Sequence, residues 1–381
     1  MKMFDVKTQV FFGENALSRL SYTRFDMAFI VADPFVVKSG LLSHVTRRLD
    51  EVRTPYVVFD EVVPDPPLDK ITRGVQQLLR CKPQLIIAVG GGSAIDSAKA
   101  IRKFASYYDG FRNLRLTAIP TTSGTGSEVT SFAVVSDTQK GVKYPLVSDD
   151  MIPDEAILDE VMVKTVPAAV TADTGMDVMT HAIEAAVSLN RNEFASAMAE
   201  KAVEICNQFL IRSYYDANDA HARRKMHIAS CLAGLAFNSA GLGLNHGMAH
   251  QLGAQFHIPH GRANAILLPF VIEFNSGVAR ATRSQTVYDP CVEKYCVLAN
   301  SMGIATVNPV TTIHALMANI DAMNREMNIP SRVHEMADIR KEDYMGKIER
   351  MAQAAIADSC TDTNPRKPSV QDVMELFKKI W

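Results

Sequence analysis

Four of the ten histidines of this chain fall within fifteen residues of one another. They are His246, His250, His257 and His260. Upstream stand Asp177 and His181, a carboxylate and an imidazole four positions apart. Because positions i and i+4 share one helix face, both side chains can point at one ion. Two imidazoles from the later cluster would complete a mixed nitrogen and oxygen shell, which suits a divalent transition metal better than calcium or magnesium.

Spacing alone leaves a second interpretation open. A single histidine on an apolar helix is usually a core or surface residue whose ring makes an ordinary hydrogen bond. The pattern also does not tell which two of the four later histidines would bind the ion. The residue types therefore predict a metal site without choosing its complete ligand set.

The elements that must position these residues differ between the two halves of the chain. Before residue 166, short apolar runs alternate with helical patterns at 68–80 and 93–106. The runs predict strands at 27–31, 56–59, 85–89 and 115–119. Near-continuous apolar strands separated by helices indicate a parallel sheet covered on both faces.

After Pro167 the pattern becomes helical throughout. The predicted helices are 173–188, 194–211, 221–239, 245–254 and 262–276, with others toward the C-terminus. We therefore expect two domains. Residues 1–166 would form an α/β, Rossmann-like, dinucleotide-binding domain, and residues 167–381 an all-α domain that binds the metal.

Predicted strand 85–89 runs directly into a glycine-rich segment that begins at Gly90. The consecutive glycines Gly91 and Gly92 allow a sharp turn and bring backbone N–H groups close to a ligand. Ser93 is expected to cap the helix that follows, and the start of that helix attracts phosphate. The run matches neither GxGxxG nor a Walker A loop, so a tight turn without a ligand is the alternative.

A second loop, residues 120–128, is rich in glycine and hydroxyl groups and includes Thr121 and Thr122. It can surround a polar ligand with hydroxyls and backbone N–H groups, although a flexible hydrophilic loop has the same composition. Asp33 follows the first strand, where an acidic residue can bind a ribose hydroxyl. Its carboxylate would repel a 2′-phosphate and favours NAD over NADP. The alternative is an Asp that opens a turn before Pro34.

Composition excludes several classes of protein. The 381 residues are 47% hydrophobic and 22% charged, with a net charge of −2 and both signs mixed along the chain. No basic stripe favours nucleic acid, and no apolar run is long enough to predict a membrane span. The six cysteines are scattered and the N-terminus lacks the apolar stretch of a signal peptide, so we expect reduced thiols and a cytoplasmic protein.

Five motifs occur in one order along the chain. They are GGGSAIDSAK, PTTSGTGSEVT, GMDVMTHAIEA, NHGMAHQLGAQFHIPHGRANA and CTDTNPR. In this order they resemble the iron-dependent (group III) alcohol dehydrogenases, over essentially the whole chain. The stretch KGVKYPLVSDDMIPDEAILD is most similar to the propanol and ethanol dehydrogenases of bacterial propanediol and ethanolamine utilisation.

The resemblance implies a role for each matching residue and an architecture like that of dehydroquinate synthase. The implied metal ligands are Asp177, His181, His246 and His260. His250 would lie beside the nicotinamide as a catalytic residue, whereas His257 has no ligand role. The implied NAD(H)-binding residues are Asp33, Gly91, Gly92, Ser93, Thr121, Thr122 and Lys143. The implied substrate pocket consists of Thr130, Phe132, Phe237, Leu242 and Cys360. Iron(II) is the metal that the resemblance suggests, and zinc would bind the same ligands.

Arg262 departs from the family pattern, in which this position is usually apolar. One interpretation is a structural salt bridge. The other is a cation near the pocket that recognises an anionic aldehyde such as sulfoacetaldehyde, because guanidinium pairs well with carboxylate or sulfonate.

The resemblance implies NAD(H)-linked interconversion of short primary alcohols and aldehydes, mainly as aldehyde reduction, with a proton path through water, the ribose hydroxyls or His250. Reduction of a small anionic aldehyde is the alternative. A glycerol-type polyol dehydrogenase, a dehydroquinate-synthase-like lyase and a non-catalytic scaffold fit the motifs less well. The resemblance also implies a homodimer or larger homo-oligomer. Enclosure in a bacterial microcompartment is left open.

Overall fold

The computed structural model describes residues 4–137, 142–279, 289–304, 306, 308–336 and 338–381, with the backbone alone for 142, 143, 289 and 290. The chain forms two compact units, Met1–Val166 and Pro167–Trp381. Each unit is described by itself below.

The N-terminal unit contains a six-stranded sheet with the order β1-β8-β5-β4-β2-β3, in which every pairing is parallel. Its strands are β1 (Gln9–Phe12), β2 (Ala28–Ala32), β3 (Tyr56–Phe59), β4 (Leu85–Gly90), β5 (Arg115–Pro120) and β8 (Glu155–Leu158). A separate antiparallel hairpin joins β6 (Phe132–Asp137) to β7 (Val142–Val147). The helices are α1 (Pro34–Lys38), α2 (Ser43–Glu51), α3 (Leu68–Cys81) and α4 (Gly92–Ala105).

Neighbouring residues of β4 point to opposite faces of the sheet and enter two separate cores. Ile86 packs in the core that contains Ile95 of α4, and Ile87 packs in the core that contains Leu49 of α2. All four side chains are fully buried. Burial of one such side chain contributes about 1.5–3 kcal/mol. The sheet is thus covered on both faces, and the predicted fold class is confirmed.

The two strands at one edge of this sheet, β1 and β8, were not predicted. Each is only four residues long and is not part of a longer apolar run. Strand β7 contains Pro145, which has no N–H to donate to a ladder and is typical of an edge strand. Short strands and an interrupted strand carry too little periodicity to be recognised in one sequence.

The described residues of the C-terminal unit form helices joined by short irregular segments, with no strand among them. Its helices are α5 (Ala168–Val187), α6 (Glu193–Tyr215), α7 (Ala220–Ala240), α8 (Leu244–Phe256), α9 (His260–Ser276), α10 (Asp289–Ser301), α11 (Pro309–Glu326), α12 (Lys341–Ala357) and α13 (Val370–Lys379). Polar residues begin several of them: the side chain of Asn192 accepts from the Ala195 N–H, and Ser369 with Asp372 forms a capping box.

Helix α5 is central, because it is buried on nearly all sides from Gly175 to Val187. Helix α8 ends at His257, which adopts a left-handed conformation with φ of 55°. Pro259 then precedes α9, so that His260 is the first residue of the new helix. This sharp junction separates His246 and His260 onto two helices.

No single helix within the described residues is long and apolar enough to cross a membrane. Helices α7 and α8 meet that criterion only when taken together, and they are bent by 108° where they join.

Candidate active site

Three helices of the C-terminal unit bring together the four side chains that the family resemblance implied as ligands. Asp177 and His181 come from α5, His246 from α8 and His260 from α9, and their ligand atoms lie within 4.8 Å of one another. Asp177 Oδ1 lies 4.0 Å from His181 Nε2, 3.7 Å from His246 Nε2 and 3.5 Å from His260 Nε2. The Nε2 atoms of the three imidazoles thus surround one carboxylate oxygen.

These distances and donor types fit a divalent transition metal. Bonds of about 2.0–2.2 Å to nitrogen and oxygen place neighbouring ligand atoms about 3–3.6 Å apart, close to the separations around Asp177. Three neutral imidazoles and one carboxylate form a borderline donor set of the kind that iron(II) and zinc accept. The arrangement supplies four protein ligands, so a substrate oxygen would bind only to a metal that accepts a fifth ligand.

Glu184 is a neighbour of this cluster that the sequence argument missed. Its Oε2 lies 2.5 Å from His246 Nδ1, and its Oε1 accepts the Asn245 N–H at 2.7 Å. The carboxylate therefore directs Nε2 of His246 toward Asp177. The sequence held a usable signal, since Glu184 follows His181 by three positions and lies on the same face of α5.

Asn264, one turn after His260, is the second residue that was missed. Its Nδ2 lies 2.7 Å from Asp177 Oδ1, 3.1 Å from His246 Nε2 and 3.2 Å from His260 Nε2. Asn245 in turn donates to the Asn264 side chain at 2.9 Å. The two amides form a buried support for the cluster, and their contacts join α8 to α9.

The charges of the cluster depend on its burial. Burial alone would raise the pKa of Asp177, but the surrounding imidazoles, His181 first, bring the pKa below its usual value. Burial alone would lower the pKa of His246, but Glu184 and Asp177 raise it to about 9. Negative charge from two carboxylates is therefore concentrated on the His246 side, where a bound cation would be stabilised.

His250 lies one helical turn beyond His246 and faces a different partner. Its Nδ1 lies 2.8 Å from Asp358 Oδ2, while Asp358 Oδ1 accepts the Cys360 N–H at 2.9 Å. The His250 and His260 rings stack with centroids 5.3 Å apart. Burial alone would raise the pKa of Asp358, but His250 and Cys360 lower it to about 2. The ionised carboxylate thus accepts from Nδ1–H, which leaves Nε2 of a neutral ring as an acceptor.

The residues implied for the substrate pocket in this unit have separate surroundings. Phe237 stacks on His181 with ring centroids 4.5 Å apart. Leu242 is buried and lies in the short loop between α7 and α8. Cys360 is half-buried beside Asp358. Arg262 Nε donates to Asp173 Oδ1 at 3.0 Å, so the guanidinium forms a salt bridge on the first turn of α9.

In the N-terminal unit, the two glycine-rich loops lie side by side at the carboxyl ends of β4 and β5. Gly90 pairs with Pro120, and the Thr121 N–H donates to the Gly90 carbonyl at 3.0 Å. A side chain at Gly91 would stand 3.3 Å from Thr122 Oγ1. Gly91 and Thr122 are therefore neighbours, as a shared ligand would require.

The expected cap of α4 was wrong. The helix begins at Gly92, its N-cap is Gly91, and no side chain caps it. Ser93 therefore lies inside the first turn, two residues beyond the N-cap position at which a side-chain hydroxyl could act. The backbone N–H groups at this helix start still point away from the helix and can bind an anion.

Asp33 lies at the carboxyl end of β2 and is the N-cap of α1, where its Oδ1 accepts the Val36 N–H at 2.9 Å. Its Oδ2 would be 2.9 Å from a β-carbon at Gly90, whose φ is +157°. The carboxylate thus caps a helix and also borders the first glycine-rich loop, so the structural and ligand-binding interpretations are compatible.

Thr130 and Phe132 are held by a buried lysine. The Lys99 ammonium donates to Ser127 Oγ at 2.9 Å, to Thr130 Oγ1 at 3.0 Å and to the Phe132 carbonyl at 2.9 Å. Burial lowers the pKa of Lys99 to about 8 and raises the pKa of Glu128 to about 7.

This network was not predicted, although GSAIDSAK and GTGSEVT contain its charged members. Lys143 belongs to β7, opposite Ser136, and its side chain lies outside the described residues.

Comparison with known proteins identifies the family. Residues 7–160 match iron-containing alcohol dehydrogenase, and residues 171–381 match the C-terminal part of the Fe-containing alcohol dehydrogenase family. The chain is 42% identical to 1-propanol dehydrogenase PduQ of Salmonella typhimurium, with 100% of both chains covered. It is 35% identical to NADPH-dependent butanol dehydrogenase of Clostridium saccharobutylicum, covering 100% of this chain and 98% of that protein.

Among solved structures, a 1,3-propanediol oxidoreductase matches with a TM-score of 0.89 and 31% identity over 100% of both chains. Fold and sequence together define an oxidoreductase. The chain belongs to the iron-containing alcohol dehydrogenase family, as the five motifs indicated.

Proposed function

We propose that this protein interconverts short-chain primary alcohols and aldehydes with NAD(H) as cofactor and acts mainly as a reductase of aldehydes such as propanal. The observation that carries the proposal is the cluster of Asp177, His181, His246 and His260 in a chain that is 42% identical along its whole length to a 1-propanol dehydrogenase.

In this proposal the four clustered side chains hold a divalent metal, with iron(II) preferred and zinc accepted. A metal bound there supplies Lewis acidity toward the oxygen of an alcohol or aldehyde. Asp177 provides the anionic ligand, and its low pKa keeps it ionised throughout the working range. Glu184 holds the His246 ring through Nδ1 and so directs Nε2 toward the metal. Asn264 Nδ2 contacts the ligand atoms themselves, so its amide would turn away when a metal binds.

The cofactor site is assigned to the N-terminal unit. The backbone N–H groups at Gly91, Gly92 and Ser93 would bind the pyrophosphate, and Thr121 and Thr122 would contribute their N–H and hydroxyl groups. Asp33 would accept from a ribose hydroxyl through Oδ2, which is not used in capping α1. Because a 2′-phosphate would meet this carboxylate, the proposal specifies NAD(H), unlike the NADPH-dependent relative. Lys143 is proposed as a further cofactor contact.

His250 is proposed to carry the proton that the reaction releases or consumes. Asp358 accepts from Nδ1–H, so Nε2 is the nitrogen that can accept a proton from solvent or from a ribose hydroxyl. The stacked His260 ring limits rotation of His250.

The substrate is proposed to be uncharged. Phe237, Leu242 and Cys360 would provide an apolar lining in the helical unit. Thr130 and Phe132 are proposed as substrate contacts on the basis of the family resemblance. Arg262 forms a salt bridge with Asp173, whose carboxylate is mostly buried. The guanidinium is therefore already neutralised by a carboxylate of the protein. This pairing supports the structural interpretation of Arg262 over recognition of sulfoacetaldehyde.

The test is anaerobic oxidation of NADH after reconstitution with iron(II), with propanal compared against sulfoacetaldehyde. We expect a higher kcat/KM for propanal and no turnover without metal. The Arg262→Leu variant should leave the ratio of the two kcat/KM values unchanged. A preference for sulfoacetaldehyde that is lost in Arg262→Leu would overturn the uncharged-substrate proposal, and no turnover of any aldehyde would overturn the proposed activity.

A further inference from the structure

A second group of side chains of the types that bind metals lies beside the first cluster and is separate from its four candidate ligands. It consists of His250 from α8 together with Asp358 and Cys360 from the segment that follows α12. One ligand atom of each residue lies within 4.8 Å of the others. We propose that these three side chains form a second cation site, selective for zinc or another thiophilic divalent ion, and that its occupation inhibits the enzyme.

Asp358 is the centre of this group. Its carboxylate faces two groups that can exchange a proton for a metal ion, the His250 imidazole at 2.8 Å and the Cys360 thiol. The Cys360 N–H also donates to Asp358 Oδ1 at 2.9 Å, which fixes the carboxylate and brings the thiol to the same side. A cation among the three residues would replace the hydrogen bonds that the His250 and Cys360 side chains make to Asp358. In their place it would bind the Asp358 carboxylate, the His250 imidazole and the Cys360 thiolate.

The donor types distinguish this site from the first one. Nitrogen, oxygen and sulfur together favour zinc, and thiolate selects zinc or copper(I) over magnesium, calcium and manganese. The first cluster contains three imidazoles and a carboxylate but no sulfur. The two sites therefore give different optical and X-ray absorption signatures when loaded with the same metal.

The site also has an entry path. All three residues are half-buried, and the side chain of His250 is 40% exposed. Three protein ligands leave a tetrahedral ion one open position for water. These are the features of a site that exchanges its metal with solvent, in contrast to the nearly inaccessible Asp177, His181 and His246.

Inhibition of aldehyde reduction would follow because the second cation binds Nδ1 of His250, the nitrogen that faces Asp358. A cation bound at Nδ1 of His250 displaces the contact with Asp358 and adds positive charge beside a ring that the proposed function assigns to proton transfer. This part of the inference rests on the proposed function, whereas cation binding itself does not.

The decisive experiment is a titration of cobalt(II) into protein that already holds one equivalent of zinc, without substrate or cofactor. Absorption from thiolate-to-cobalt charge transfer can come only from a site that contains cysteine, so displacement of zinc from the first cluster gives no such band. We expect the band in the wild-type protein and in Cys296→Ser, which changes a half-buried cysteine on α10. We expect no band in Cys360→Ser.

An X-ray absorption measurement on the wild-type protein removes any dependence on the folding of variants. With two equivalents of zinc, the second equivalent should add one sulfur neighbour at about 2.3 Å. No sulfur contribution, or a charge-transfer band that persists in Cys360→Ser, would overturn the site.

Measurements of aldehyde reduction at increasing zinc concentration distinguish failure of the second cation site from failure of the proposed function. Zinc beyond one equivalent should inhibit aldehyde reduction, and Cys360→Ser should raise the inhibitory concentration by at least about tenfold, the scale on which outer-shell changes already act. Thiolate ligation without inhibition would disprove the inhibitory role and count against the assignment of His250. Full aldehyde turnover with no thiolate ligation would disprove the second site and leave the proposed function intact.

Discussion

Glu184 and His246 form a short contact beside the candidate metal centre, with Glu184 Oε2 2.5 Å from His246 Nδ1. Both side chains are almost completely buried. The two ring nitrogens of His246 therefore have different partners. Nδ1 faces Glu184, and Nε2 lies 3.7 Å from Asp177 Oδ1 in the candidate metal centre. A carboxylate behind an imidazole orients the ring and strengthens it as a ligand.

We expect Glu184→Gln to weaken metal binding by about 10–100-fold, because the amide loses the charge that strengthens His246. Competition with a chelator of known affinity, followed by metal analysis, measures the change without reference to turnover. Glu193→Gln, an exposed glutamate at the start of α6, is the matched control and should bind metal as the wild type does. Equal affinity for both variants would show that Glu184 has no role at the metal.

Asp358→Asn tests the orientation of His250. Asp358 Oδ2 accepts from the His250 Nδ1–H and Oδ1 accepts from the Cys360 N–H, whereas an amide has only one acceptor oxygen. Whichever way the amide is turned, one donor faces an NH₂ group. We therefore expect kcat to fall by about 100-fold while KM changes little.

A double-mutant cycle with His250→Ala distinguishes this effect from general damage. In the His250→Ala background, Asp358→Asn should change kcat by no more than about threefold, since residues that act as a unit are not additive. Asp362→Asn, at an exposed position in the next turn, serves as the control. Full additivity of the two changes would refute the coupling.

The buried Lys99–Glu128 network predicts a pH dependence of stability. Glu128 has a pKa of about 7 when folded and an ordinary value of 4.5, so between these pH values the unfolded chain has released a proton that the folded chain retains. Stability from this group is therefore lost as the pH rises from 4.5 through 7. Lys99, with a pKa of about 8, acts in the opposite direction only above that pH.

We expect Glu128→Gln to unfold at the same temperature as the wild type near pH 5 and at a higher temperature near pH 8. At about 1.4 kcal/mol per pKa unit, the relative gain is on the order of 3 kcal/mol. Thermal unfolding across this pH range checks the prediction. A difference between the two proteins that does not vary with pH would exclude titration of Glu128 in the folded state.

Gly261→Ala should disturb the metal cluster through the backbone. A β-carbon at Gly261 would lie 2.0 Å from the Asp173 carbonyl oxygen, so α9 must shift and carry His260 with it. We expect both a lower unfolding temperature and weaker metal binding. Gly253→Ala is the control, because its β-carbon would meet its nearest neighbour at 3.5 Å and alanine favours a helix by up to about 1 kcal/mol. Similar effects of the two substitutions would contradict the proposed clash.

The sequence was most informative where one pattern repeated along an element. The apolar run at 85–89 predicted a strand, and every residue of β4 is buried. The spacing of Asp177 and His181 predicted a shared face of one helix, which is α5. Spacing could not choose between His246 and His250, since both lie on α8 one turn apart. The difference is set by Glu184 and by Asp358, which are remote from both in sequence.

Residues that act through a second residue were the hardest to recognise. Asn264 follows His260 by one helical turn, but its contact with Asp177 and the contacts of Lys99 with Ser127 and Thr130 are made across the fold. Ser93 shows the opposite error, because a local capping rule placed the N-cap of α4 two residues after its actual position at Gly91. Such boundaries depend on packing that a local pattern does not contain.

The four clustered side chains come from three helices, α5, α8 and α9, so a bound metal would stabilise the packing of these helices against one another. A bound ion would connect segments as distant as Asp177 and His260, and it would bind only when these helices are packed. Free metal at 100 times its dissociation constant would add about 2.7 kcal/mol to the stability of the folded helical unit. Bound metal should therefore raise the resistance of the helical unit to proteolysis, because cleavage proceeds through its opened state.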